Sequence, residues 1–390
     1  MKQGWEYKKL GEVCTIERGG SPRPITDYIT DSEDGINWIK IGDAQEGSKY
    51  ITSTKEKIRP EGIKKSRFVH KGDFILSNSM SFGRPYILKV DGCIHDGWLV
   101  IHDDNEVFIK DYLYYILSSS IMYAKFSQLA VGGVVNNLNS SLVRKVTIPI
   151  PPKSTQLSIV SELDKINELI RLKKEQLKDY DNLAQSIFCE MFGDPVENEK
   201  GWEVKKLGEV CTIERGSSPR PITAYITDSK DGINWIKIGD AQEGSKYITS
   251  TKEKIKSEGL KKSRFVHKGD FILSNSMSFG KPYILKIDGC IHDGWLVIHD
   301  NNNVFIKIYL YYLLASSIMY AKFSKLAVGG VVNNLNSSLV RKVDVSIPPL
   351  PLQHLFAQRI EQIEHQKSEV AKAITDLETL LASRMQHWFE

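Results

Sequence analysis

The chain has 390 residues, 41% of them hydrophobic, and a formal net charge of +4 at pH 7; that is enough for two or more domains with buried cores. No run of about 18 apolar residues is available to span a membrane, and the opening residues lack the apolar stretch of a secretion signal, so a cytoplasmic protein is expected. Five cysteines without CxxC spacing fit that location, and so small a net charge excludes any argument for nucleic acid from charge alone.

In chain order, strand-like pieces rich in branched and aromatic residues begin at Leu10 (LGEVCTI), Ile36 (INWIKI), Asp73 (DFILS), Pro85 (PYILKV) and Cys93 (CIHDGWLVI). A helix is predicted from Tyr112 to Ala130 with Asp111 as its N-cap. Loops rich in Gly, Pro and Asn separate these pieces, at RGGSPRPIT from Arg18, NSMSFGRP from Asn78 and VGGVVNNLNSS from Val131. Trp38, Trp98, Tyr114 and Tyr115 lie in apolar runs and read as core, as does Cys93 beside His95 and His102, in preference to a zinc set.

The strongest feature is a repeat. Trp5–Thr147 and Trp202–Asp344 align at a constant offset of 197 with no gap and 16 differences in 143 positions. Each copy leads through proline into a long periodic segment, Thr155–Gly193 and Leu352–Glu390. In the first, Ile159, Leu163, Ile166, Ile170, Leu177, Tyr180, Ala184, Ile187 and Met191 recur at steps of three and four, interrupted by Lys173; in the second, Lys367 and Arg384 interrupt the same seam. Neither helix can hide its apolar stripe alone, so antiparallel pairing is expected, with the repeats related by a pseudo-two-fold axis. The expected organisation is α+β: two similar mixed α/β domains over residues 1–153 and 194–350, and long helices over 154–193 and 351–390.

The order of motifs resembles the specificity subunits of type I restriction-modification systems. It runs WEYKKLGEV from Trp5 with RGGSP from Arg18, GINWIKIGD from Gly35, KGDFILS from Lys71, DGWLVI from Asp96, NNLN from Asn136, and PP before Gln156 at the start of a long helix; then the whole series repeats. The resemblance covers nearly the whole chain. It implies two target-recognition domains and two antiparallel helices, no catalysis by the chain itself, and double-stranded DNA as a partner. It also implies two methylation subunits and restriction or translocase subunits, which would carry S-adenosylmethionine, ATP and magnesium. Two departures stand out. Thr155 and Leu352 replace the usual glutamate before Gln156 and Gln353, and the two domains, usually dissimilar, are nearly alike, which turns an asymmetric bipartite target into an expected inverted repeat.

Enzyme motifs for this substrate do not accompany the resemblance: the chain has no NPPF or DPPY sequence, no GxxxxGK[ST] phosphate loop and no GxSxG elbow. Base readout calls for Arg or Lys toward guanine and Asn or Gln toward adenine, carried on loops. The candidates are Arg18, Ser21 and Arg23 with Arg215, Ser218 and Arg220; Ser77, Asn78, Ser79 and Arg84 with Ser274, Asn275, Ser276 and Lys281; and Asn136 and Asn137 with Asn333 and Asn334. The competing local roles are a salt bridge from Arg18 to Glu17, capping of a strand end by Ser77 to Ser79, and a turn at the paired asparagines. Lys64, Lys65 and Arg67 are expected to meet phosphates. A different class of function, a coiled-coil scaffold whose repeats bind protein or peptide partners, is the alternative.

Overall fold

The computed structural model describes residues 2–45, 47–78, 83–130, 138–195, 197–242, 244–275, 280–327 and 335–390. The chain forms two compact units, Met1–Lys174 with Lys372–Glu390, and Glu175–Ala371. Each combines one copy of the repeat with half of each long helix, Lys153–Phe192 and Leu350–Phe389.

In the first unit one five-stranded sheet has the order Ile29–Thr30, Glu56–Ile58, Ile36–Ile39, Gly92–Ile94, Arg67–Val69. A second has the order Thr15–Arg18, Trp98–His102, Phe74–Ser77, Pro85–Leu88, Tyr50–Ile51. Alternation assigns Ile75, Leu88, Trp98 and Val100 to a core with Ile39 and Ile94 of the first sheet, and Ile16, Leu76, Leu99 and Ile101 to a core shared with the helices. Glu6–Lys9 pairs antiparallel with Thr147–Ile150 and closes the domain beside the long helix. The second unit repeats this topology. Trp38 and Trp98 are fully buried core residues, as their apolar surroundings indicate.

Four local expectations are corrected. Leu10–Val13 is a helical turn, not strand, because Glu12 accepts from the Lys9 amide at 3.1 Å and Leu10 and Val13 face the core; the strand begins at Thr15. The run from Cys93 splits into two strands of different sheets, since His95 Nδ1 accepts from the Gly97 amide at 2.7 Å and folds a turn there. The predicted helix from Tyr112 is two helices, Lys110–Ser118 and Ser120–Ala130. Ser119, extended between them, donates to Ile116 and accepts from the Met122 amide at 3.2 Å. Asp111 lies inside the first of these helices, whose N-cap is Ile109, and its carboxylate is paired with Lys49 instead.

Within the first unit Glu162 meets Arg384 and Lys174 meets Glu378, so one helix advances as the other retreats. Within the second unit Asp181 pairs with Lys367 in the same antiparallel sense. The expected polar interruptions of the seam, Lys367 and Arg384, are thus cross-helix ion pairs. The seam itself is wider than its heptads suggest. Phe188 and Phe192 are buried at 1% and 2% exposure, deeper than the half-buried Ile187 and Met191, because this half of the helix packs on its own domain as well as on the other helix.

Gln156 explains how a helix is fixed to its domain. Its Oε1 accepts from the Ile109 amide at 2.7 Å, and its Nε2 donates to the carbonyls of Val107 and Pro151 at 3.1 and 3.0 Å. Gln353 makes the same three bonds to Ile306, Val304 and Pro348. Both glutamines are buried, and both act as docking pins rather than helix caps.

A lysine at each docking surface behaves differently. In the first unit Lys49 pairs with Asp111 and lies 3.9 Å from Asp164 of the long helix. In the second unit the position of Asp111 is Ile308, and Lys246 takes its acceptor from the helix, Glu364, at 2.8 Å, with the Tyr312 hydroxyl 3.3 Å away. Burial pushes the Lys246 ammonium below the usual lysine range, which Glu364 opposes.

Candidate nucleic-acid interface

The loop after strand Thr15–Arg18 lies across the turn at His95 to Gly97. The Gly19 amide donates to the Trp98 carbonyl at 2.9 Å and the Gly20 amide to the Ile94 carbonyl at 3.2 Å. The approach requires glycine at two places: a Cβ on Gly19 would stand 2.3 Å from the His95 carbonyl oxygen, and one on Gly97 would stand 2.1 Å from the His95 ring. The crossing leaves Arg18 and Arg23 exposed and Ser21 half-buried.

These side chains converge on Asp96. The Ser21 hydroxyl donates to its Oδ1 at 2.8 Å, Arg23 Nη2 stands 3.6 Å from Oδ2, and its main-chain carbonyl accepts from Arg18 Nε at 3.0 Å and from Asn78 Nδ2 at 2.9 Å. The second unit repeats the arrangement on Asp293: Ser218 at 2.7 Å, Arg220 at 3.7 Å, Arg215 Nε at 2.9 Å and Asn275 at 2.9 Å. Burial acts against the Asp96 charge, but the Ser21 hydroxyl, His95 and Arg18 outweigh it and hold the carboxyl below the usual range. For Asp293 the Ser218 hydrogen bond is the largest influence, in the same direction.

Beside each aspartate opens a cleft, of about 600 Å³ in the first unit and 990 Å³ in the second. Pro22, Ile25 and Trp38 supply apolar walls in the first unit, and the Lys40–Glu56 ion pair and His95 supply polar groups.

The candidate readers divide sharply. Arg18, Ser21 and Arg23, with Arg215, Ser218 and Arg220, form one cluster per unit, exposed at the arginines and half-buried at the serines. Arg18 is not paired with Glu17; that carboxylate is taken by Arg67 at 2.7 Å, which also donates to the Arg18 carbonyl. Arg67 thus braces the strand end through Glu17 and the Arg18 carbonyl, with its side chain 38% exposed, and Lys64 and Lys65 are exposed beside it. Ser77 and Asn78 are corrected. Both are 1% exposed, as are Ser274 and Asn275 at 0% and 1%, and their hydrogen bonds hold the strand end: Ser77 Oγ accepts from the Arg84 amide at 3.0 Å, and Asn78 holds Asp96. Groups so enclosed position the loop instead of reaching base edges. Arg84 and Lys281 are exposed at the strand start. Ser79, Ser276, Asn136, Asn137, Asn333 and Asn334 lie outside the described residues.

Asp96 and Asp293 are the residues that motif reading passed over. A charged residue between histidine and glycine inside an apolar run marks a turn, and that signal was present in the DGWLVI motif.

A mixed-sheet domain displaying loop arginines and docked on a long helix is thus present twice in the chain. The model of the type I restriction modification DNA specificity domain matches twice, over residues 2–179 and 199–378, and the chain belongs to that family. It is 26% identical to the type I restriction enzyme MjaIX specificity subunit of Methanocaldococcus jannaschii, over 63% of this chain and 60% of the relative. It is 24% identical to the putative MjaX specificity subunit of the same organism, over 98% of this chain and 93% of the relative. With the EcoBI specificity subunit of Escherichia coli the identity is 20%, over 96% and 82%. The fold is shared with a chain from a type I restriction-modification system solved in work on complex assembly and conformational transition, with a TM-score of 0.69, 20% identity, and coverage of 99% of this chain and 97% of that one. Among the described residues no helix is long and apolar enough to cross a membrane.

Proposed function

We propose that the chain is the non-catalytic, sequence-selecting subunit of a cytoplasmic methylation and restriction complex, and that its two recognition domains read two inverted copies of one half-site across a non-specific spacer. Two methylation subunits would use that choice, with restriction or translocase subunits in addition; S-adenosylmethionine, ATP and magnesium would reside on those partners. The observation that carries the symmetric target is the identity of the described readers in the two units. Arg18, Ser21, Arg23 and Asp96 match Arg215, Ser218, Arg220 and Asp293 in type and, within about 0.1 Å, in their shared distances. Arg84 against Lys281 is the one exchange, and both side chains favour guanine.

Single-molecule methylation mapping, with footprinting of the assembled complex, is expected to return two identical half-sites in inverted order. The double variant R18A/R215A is expected to weaken both equally, by about 1–3 kcal/mol per lost bidentate contact. Two unrelated half-site sequences would overturn the symmetric reading. Binding is also expected to fall steeply with salt, as phosphate contacts require.

A further inference from the structure

The loop arginines are gathered by one residue in each unit, Asp96 and Asp293. We propose that Asp96 and Asp293 contribute to base specificity as positioning residues: each carboxylate biases the arginine beside it, Arg23 or Arg220, toward one orientation suited to guanine, so that losing the carboxylate relaxes sequence choice while DNA binding persists. The inference rests on the DNA-recognition reading above.

The geometry is unusually economical in its use of one residue. One carboxylate oxygen is anchored by the Ser21 hydroxyl at 2.8 Å, which leaves the other facing Arg23 at 3.6 Å, while the main-chain carbonyl holds Arg18 and Asn78. In the second unit Arg215 Nη2 also approaches the free oxygen, to 3.9 Å, beside Arg220 at 3.7 Å. The arginine side chains at 23 and 220 are 82% and 83% exposed, so the carboxylate engages one edge of each fork and most donors still face outward. The aspartates are 37% exposed, within reach of an approaching duplex.

An ion pair this exposed adds little to folding stability. Its effect is instead a bias on the orientation of Arg23 and Arg220 before DNA arrives, of the same small size. Phosphates are satisfied by a positive charge in many orientations, whereas the O6 and N7 edge of guanine requires the fork in one plane. An arginine biased in this way gains on guanine and not on the backbone, which is a gain in discrimination.

The test is the full chain carrying Asp96→Asn with Asp293→Asn, compared with the parent at one salt concentration on the mapped site, on sites with each guanine replaced, and on unrelated duplex. Thermal melting checks the fold. The ratio of specific to unrelated affinity is expected to fall severalfold, with affinity for unrelated duplex unchanged or higher because two negative charges are gone. Ser21→Ala with Ser218→Ala, which frees the carboxylate without removing it, is expected to give a smaller fall in the same direction, and decides by the same ratio if the asparagine pair does not fold. An unchanged ratio, or an equal loss on every duplex, overturns the inference while leaving recognition by the chain intact. A parent with no sequence preference overturns the recognition reading and this inference together.

Discussion

Phe188→Ala is expected to lower the unfolding free energy of the unit Glu175–Ala371 by about 3–5 kcal/mol, the range for emptying a buried aromatic site. Phe188 is 1% exposed and lies 5.7 Å from Tyr309, 6.3 Å from Tyr312, 5.6 Å from Phe356 and 5.2 Å from Phe192 by ring centroid. It joins both long helices and the recognition domain in one core, so the cavity cannot close by moving a single element. Denaturant unfolding of the full chain should show the loss in a transition separable from that of the other unit; Phe188→Leu should recover more than half of it. A midpoint within error of the parent would mean that this half of the helix pair does not stabilise the domain.

Gln156→Leu with Gln353→Leu is expected to have an effect in each unit comparable to that of Phe188→Ala, by an unlike cause. Leucine preserves much of the volume but leaves the amide of Ile109 and the carbonyls of Val107 and Pro151 without their partner, and their equivalents likewise. The Pro151 carbonyl is buried and the other two groups partly so, so each orphaned group costs up to about 1–3 kcal/mol. Hydrogen exchange should locate the change at residues 107–109 and 304–306, with the helix centres protected as before. Loss confined to the helix centres would show that the glutamines support helix pairing and not domain docking.

The sequence made the duplication and the helix pairing legible because both are periodic: an offset of 197 and a seam at steps of three and four need no three-dimensional information. Ile159, Leu163, Ile360 and Ile363 are buried as that seam requires. Phe188 and Phe192 were missed because a heptad count describes one neighbour, while each half-helix has two. The exposure of Arg18 and Arg23 was legible, because the Gly- and Pro-rich sequence around them marks a surface loop. The burial of Ser77 and Asn78 was not, because in sequence they look like any loop residues. Asp96 was hidden for a related reason: its importance comes from four partners spread over residues 18–78, none adjacent in the chain.

The two lysines at the docking surfaces bear on how far such domains can be exchanged. Lys49 finds its acceptor in its own domain, at Asp111, whereas Lys246 depends on Glu364 of the long helix, where the first helix has Asn167. Transplanted onto the first helix, the second domain would bring Ile308 in place of Asp111 and meet Asn167 in place of Glu364, leaving a largely enclosed ammonium with only the more distant carboxylate of Asp164. The reverse graft would give Lys49 an acceptor from each side. Two modules with matching reading surfaces are thus unequal as spare parts: the first is portable, and the second is tied to its own helix.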